Sequence, residues 1–228
     1  MSFEIKIISL LSDTKKREKI SNNLCKLDLD FSIVDAVDGK NLSAIDYFIN
    51  AKNSNFWFNR KQFLSPSEYG CFSSHRKAIE EFVTNSKSDW LLVLEDDVMF
   101  DDRLSDLLSN HVDGLPTNNI YVLGGQDGLS SINRVLFGGS FGGKYKFKKS
   151  IMKTHRWIYR TCCYLIHKNH ANELLSLMKK ETYVADNWGF VIKNTNLESV
   201  CYHNMVSHPL DLTGSHIEQE RLLLRNKC

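Results

Sequence analysis

Residues 90–100 read Trp-Leu-Leu-Val-Leu-Glu-Asp-Asp-Val-Met-Phe. The apolar run suits a buried strand, and it leads straight into three adjacent carboxylates. Burying charge is costly unless a cation or hydrogen bonds compensate it. Glu95, Asp96 and Asp97 therefore point to a divalent metal at the C-terminal edge of a sheet, where open α/β sheets bind their ligands. Side chains alternate along a strand, so Glu95 and Asp97 share one side if the strand persists. Two carboxylates at that spacing suit Mn²⁺ or Mg²⁺, with positions left open for phosphate and water. The competing reading is a solvated acidic turn.

The flanking sequence supplies an α/β frame. Residues 3–11 are rich in Ile and Leu and read as a first strand. Ser12 and Asp13 are placed to cap a helix reaching about Leu27, with Ile20, Leu24 and Leu27 on one face. Phe31–Val37 reads as a second strand closed by the turn Asp38-Gly39-Lys40. This β-α-β opening suggests a parallel sheet. Ser65-Pro66-Ser67-Glu68 carries an N-cap, a first-turn proline and a capping-box acid, so a helix is expected to about Thr84. Phe72, His75, Ile79 and Phe82 share a face of it. Further strands are expected at Ile120–Leu123 and Arg160–His167, and a helix from about Asn169 to Lys180. Residues 128–156 show no core pattern. The four glycines of Phe137–Lys144, beside aromatics, suggest either a mobile loop that orders over a ligand or a long basic surface loop.

Composition narrows the classes. With 228 residues, 42% of them hydrophobic, the chain can bury a proper core, and we read 1–228 as one domain. Twenty-nine basic residues against 27 acidic ones give a net charge of +2, which does not support bulk nucleic-acid binding. The six cysteines form no Cys-x-x-Cys pair and lie largely in apolar runs, as reduced buried thiols do. The N-terminus lacks a signal-peptide shape, and no apolar run approaches the ~20 residues of a membrane span. A cytoplasmic protein is expected, with at most peripheral contact at the inner face of the membrane.

Other residues are candidates for chemistry. His75 is either a core histidine or a substrate contact. Asp186, within Tyr183-Val184-Ala185-Asp186-Asn187-Trp188, is either a general base or an N-cap. Trp188 and Tyr183 could stack on a sugar ring. One of His203, His208 and His216, near Asp211, could be a ligand to the metal or the diphosphate; the competing reading for each is a surface or core histidine.

Taken in order, several segments resemble glycosyltransferase family 25, the sugar transferases of bacterial lipooligosaccharide. They are Ile7-Ile8-Ser9-Leu10 with Arg17, Phe31 through Gly39, Leu64 through His75, Leu94-Glu95-Asp96-Asp97-Val98, and Gly214-Ser215-His216-Ile217-Glu218 with Arg221. The resemblance implies the A-type glycosyltransferase fold, a Rossmann-like mixed sheet flanked by helices. Residues 1–125 would bind the nucleotide sugar and 126–228 the acceptor. It also implies a UDP-sugar donor, most often UDP-galactose, with Mn²⁺ or Mg²⁺, and inverting transfer to an oligosaccharide or glycolipid acceptor of lipooligosaccharide or capsule.

On that basis Asp97 and Glu95, with His208, would hold the metal, and Asp186 would be the catalytic base. Ser9, Leu10, Arg17, Ala36, Asp38, His75, Glu95 and Asp96 would surround the donor. The alternative is a non-catalytic nucleotide-sugar or glycan-binding protein on the same fold.

Overall fold

A computed structural model of the chain describes residues 2–54, 62–210 and 215–225. Asp211 and Gly214 of the sequence reading, and the side chain of His216, lie outside the described residues. The elements in chain order are β1 (Phe3–Ser9), α1 (Thr14–Lys26), β2 (Ser32–Asp35), α2 (Ala44–Asn50), α3 (Pro66–Asn85), β3 (Trp90–Glu95), α4 (Asp102–Asp106), β4 (Asn119–Gly124), β5 (Phe137–Phe141), β6 (Phe147–Ser150), β7 (Cys163–His167), α5 (Lys168–Lys180), α6 (Trp188–Asn194), β8 (Ser199–Val206) and α7 (His216–Arg225).

The strands form one mixed sheet in the order β2-β1-β3-β7-β4-β8-β6-β5. The opening is parallel as expected, since β1 pairs parallel with both β2 and β3. Beyond it, β7 lies antiparallel between β3 and β4, while β4 and β8 are parallel. The two sequence halves are thus interleaved. Helices cover both faces. Leu91 and Val93 pack with Phe72, Ile79 and Leu174 on the α3/α5 side. Trp90, Leu92 and Leu94 pack with Ile5, Ile20 and Leu24 on the α1 side. A strand buried on both faces is why residues 90–94 read as an unbroken apolar run.

Local signals explain most helix starts. Ser65 and Glu68 form the expected capping box, with Pro66 in the first turn of α3. Asp13 precedes α1, but its side chain makes no capping bond there. Residues 128–156 differ from expectation. They hold the antiparallel edge hairpin β5–β6, with Tyr145 and Phe147 buried in the core. Gly142 and Gly143 make its turn at φ 80° and 58°, conformations that disfavour a side chain, which accounts for the two glycines at the bend. Residues 130–155 line neither of the clefts described below, so this segment is not a cover for them here.

One close crossing shapes the ligand edge. A Cβ added to Gly39 would lie 1.7 Å from the Pro66 carbonyl oxygen, so the turn after β2 presses against the start of α3. Gly39→Ala is expected to cost about 1–3 kcal/mol through overpacking. A lowered denaturant midpoint at unchanged m-value checks this.

Candidate active site

Two clefts open at the C-terminal ends of β1, β2 and β3 and share Cys71, Glu95, Ser215 and Ile217. The smaller, about 230 Å³, is lined by Ser9, Leu10, Lys16, Ala36 to Lys40, His75 and all three acidic residues. The larger, about 520 Å³, is lined by Glu68, Arg156, Arg160, Thr161, Asp186, Asn187, His208 and Arg221. Glu95 and its neighbours stand where the clefts meet.

Strand β3 stops at Glu95, and Asp96 and Asp97 occupy the turn that follows. A small bridge from Met99 to Ser207 brings the end of β8 alongside this turn. It carries His208 to Asp97, with Nε2 3.6 Å from Oδ2. Glu95, Asp97 and His208 then offer ligand atoms all within 4.8 Å of one another. Their preparation is specific. Glu95 Oε1 faces His75 Nε2 at 3.2 Å and accepts from Thr161 Oγ1 at 3.1 Å, which leaves Oε2 to the cleft. His208 Nδ1 donates to the Pro209 carbonyl at 2.9 Å, so Nε2 is the ring nitrogen turned toward Asp97 and the one that would meet a metal. Among the described residues, Asp97 Oδ1 is buried with no hydrogen-bond partner. An orphaned carboxylate oxygen beside a second carboxylate and an imidazole is what a divalent cation would satisfy. The donor set fits a divalent metal of the implied kind.

Electrostatics agree with that geometry. Burial alone would raise Glu95, but the hydrogen bond and charge of His75, with His208 and Thr161, hold it below its ordinary value. Burial, and then the charge of Glu95, push Asp97 up against the opposing pull of His208 and Lys16. Burial raises Asp96 to about 6 despite a short hydrogen bond from Ser9 Oγ and the nearby Lys16 ammonium.

The residues expected around the donor fall into two groups. Ser9, Leu10, Ala36, Asp38 and His75 line the smaller cleft. Ala36 N–H donates to the Ser9 carbonyl at 2.8 Å, and Ser74 Oγ accepts from Val37 N–H at 2.8 Å, so the loop is held to β1 and α3. The Asp38 carboxylate accepts from Lys40 N–H and Asn41 Nδ2 and caps its own turn. Arg17 does not line the cleft. Its guanidinium binds the Ser9 and Leu10 carbonyls at 2.6 and 3.0 Å and pairs with Asp35 at 2.8 Å, which fixes the strand ends from behind. The cation that faces the cleft is its neighbour Lys16, 3.8 Å from Asp96.

On the other side, Asp186 accepts from Arg160 N–H at 2.9 Å, and burial pushes its carboxyl above the ordinary range. Arg160 presents that N–H from φ 63°, a conformation costly for a residue with a side chain. Trp188 and Tyr183 cannot stack on a sugar. They are 2% and 1% exposed and pack against Tyr164 and Phe72. Lys16, Thr161 and Arg160 are the contributors that sequence reasoning missed. A basic residue beside Arg17 and a polar pair opening a strand were the only signals for them. Helix α7 closes the larger cleft, with Arg221 bound to buried Glu68 at 3.1 Å through two nitrogens.

Residues 3–188 match the family described as glycosyltransferase family 25 (LPS biosynthesis protein). The chain belongs to glycosyltransferase family 25. Among curated relatives, a "probable inactive glycosyltransferase 25 family member 3" of Bos taurus is 30% identical over 131 residues, and that of Rattus norvegicus 27% over 124. These alignments take in 52% and 51% of this chain, but it spans only about a fifth (21%) of either relative's length.

Among solved structures, a UDP-glucose pyrophosphorylase complexed with UDP-glucose is 9% identical with a TM-score of 0.48, covering 90% of each chain. A glycosyltransferase involved in glycosylation of the major capsid of PBCV-1 is 9% identical with a TM-score of 0.47, covering 96% of this chain and all of that one. The galactosyltransferase LgtC with donor and acceptor sugar analogs is 13% identical with a TM-score of 0.41, covering 98% and 95%. No residue correspondence follows from likenesses this slight. Among the described residues no helix is long and apolar enough to cross a membrane.

Proposed function

We propose that the protein is an inverting glycosyltransferase that moves a sugar from a UDP-sugar to a hydroxyl of a glycan acceptor. The family habit of UDP-galactose and a β-linkage supplies the finer reading, with lipooligosaccharide or capsule as the product class. One observation carries it: the Asp97 oxygen that has no partner among the described residues sits with Glu95 and His208 where two clefts meet. That is the place for a diphosphate between a nucleotide and the sugar it releases.

The smaller cleft holds the nucleotide between the β1 end and the loop 36–40, with Lys16 turned toward the phosphates. A Mn²⁺ or Mg²⁺ held by Glu95, Asp97 and His208 would neutralise the diphosphate as UDP departs. Asp186 takes the proton of an acceptor hydroxyl bound in the larger cleft. That oxygen bonds to the anomeric carbon as the bond to the phosphate oxygen breaks, and the electron pair leaves with UDP. Arg17 positions the strand ends, and His75 and Thr161 orient Glu95.

The test is a panel of UDP-sugars with Mn²⁺, following UDP release with and without simple sugar acceptors. Release that requires an acceptor and yields a glycoside is expected. UDP-sugar bound but never turned over would instead support the non-catalytic reading. The names of the curated relatives give that reading its weight. Phosphate release without a glycoside would point to a hydrolase.

A further inference from the structure

The charge of this chain is unevenly placed. Between Asp127 and Glu173 there is no acidic residue, yet nine Lys or Arg occur there, in a chain whose net charge is only +2. This stretch holds the β5–β6 hairpin and the turn after it. Lys144 and Lys149 pair with Asp106 and Glu198. Arg134, Lys148, Lys153 and Arg156 are exposed and have no carboxylate partner among the described residues.

Beside these cations stands an apolar cluster open to solvent. Leu136, Ile151 and Met152 are 50%, 39% and 77% exposed. Ile151 N–H donates to the Leu136 carbonyl, so the three form one patch at the base of the hairpin. Met152 and Lys153 project from consecutive left-handed residues, φ 53° and 59°, a conformation costly for side-chain-bearing residues. The guanidinium groups of Arg134 and Arg156 lie 4.7 and 5.6 Å from the ring centroid of Trp157, which itself packs against the core. Exposed aliphatic tips in the same segment as cations without carboxylate partners match the chemistry of an anionic lipid surface. A soluble polyanion would use the charges but leave the aliphatic tips without a partner.

We infer that the base of the β5–β6 hairpin docks on a membrane containing anionic lipid, with Ile151 and Met152 entering the headgroup boundary. Arg156 links this surface to the site, because it also lines the larger cleft. Docking there brings the cleft mouth to a lipid-borne acceptor. That consequence rests on the proposed function, whereas the docking itself does not.

The test is co-sedimentation of the full chain with phosphatidylcholine vesicles and with vesicles mixed in equal parts with phosphatidylglycerol. Binding to the mixed vesicles only, weakened by salt, is expected. Arg134→Gln and Lys153→Gln should each weaken it about fivefold. Ile151→Ser with Met152→Ser should weaken it about tenfold or more. None of these residues lines either cleft, so UDP release with a soluble acceptor should be unchanged and the thermal midpoint retained. No binding to the mixed vesicles, equal binding to both kinds, or full binding by the variants would overturn the inference. So would binding to dextran sulfate that matches the vesicles and ignores the serine substitutions. A chain that docks on vesicles yet transfers no sugar would sink the proposed function and leave the docking surface standing.

Discussion

Asp97→Ala is expected to lower acceptor-dependent UDP release by about 10³-fold or more, the scale of removing a group that stabilises transition-state charge. The fold should survive. Asp97 is held above its ordinary value by burial and by Glu95, so its ionised form works against folding. A carboxyl raised in the folded state costs stability once the pH exceeds its unfolded value, and nothing below both values. The variant should therefore match or exceed the unaltered thermal midpoint at neutral pH and show no gain in acid. Asp97→Asn should do the same, since one neutral oxygen replaces a charged one. Near-normal transfer by Asp97→Ala at saturating Mn²⁺ would remove the metal role.

Asp186→Asn should lower kcat by about 10²- to 10⁴-fold, the usual worth of a general base, with donor binding retained. The substitution keeps an oxygen to accept from Arg160 N–H, so the local backbone should hold. Burial raises the Asp186 carboxyl, and a base must be ionised to act. Transfer by the unaltered chain should therefore fall on the acid side at a pH above the ordinary carboxylate range. The same shift predicts that Asp186→Asn leaves stability equal or higher at neutral pH. The N-cap reading of Asp186 does not hold, because Asn187 caps α6 by accepting from Phe190 N–H. A purely structural role would lie in the bond from Arg160 N–H and would leave the rate little changed. A pH–rate profile beside a thermal melt separates the two.

Much of the ligand edge was legible because its determinants are local. The apolar run and the acids of β3 are contiguous, and the capping box of α3 lies within four residues. The choice between Lys16 and Arg17 was not legible. Neighbours on a helix point about 100° apart, and the phase of α1 is set by packing of Ile20 and Leu24. His208 reaches Asp97 only through the Met99–Ser207 bridge, a contact between distant segments. The hairpin β5–β6 was hidden because glycine, a poor strand former, stands at its bend and in β5 itself. Trp188 and Tyr183 resembled sugar platforms because aromatic residues next to an acid look alike whether they face a cleft or a core.

The insertion of β7 beside β3 bears on how the protein is made. As the nascent chain leaves the ribosome, β3 gains β1 early, but its other edge stays open until β7 has emerged. An apolar strand waiting with bare backbone groups is a template for aggregation. A fragment ending before β7 should accumulate as inclusion bodies, and rapid overproduction of the whole chain should depend on chaperones that shield that edge.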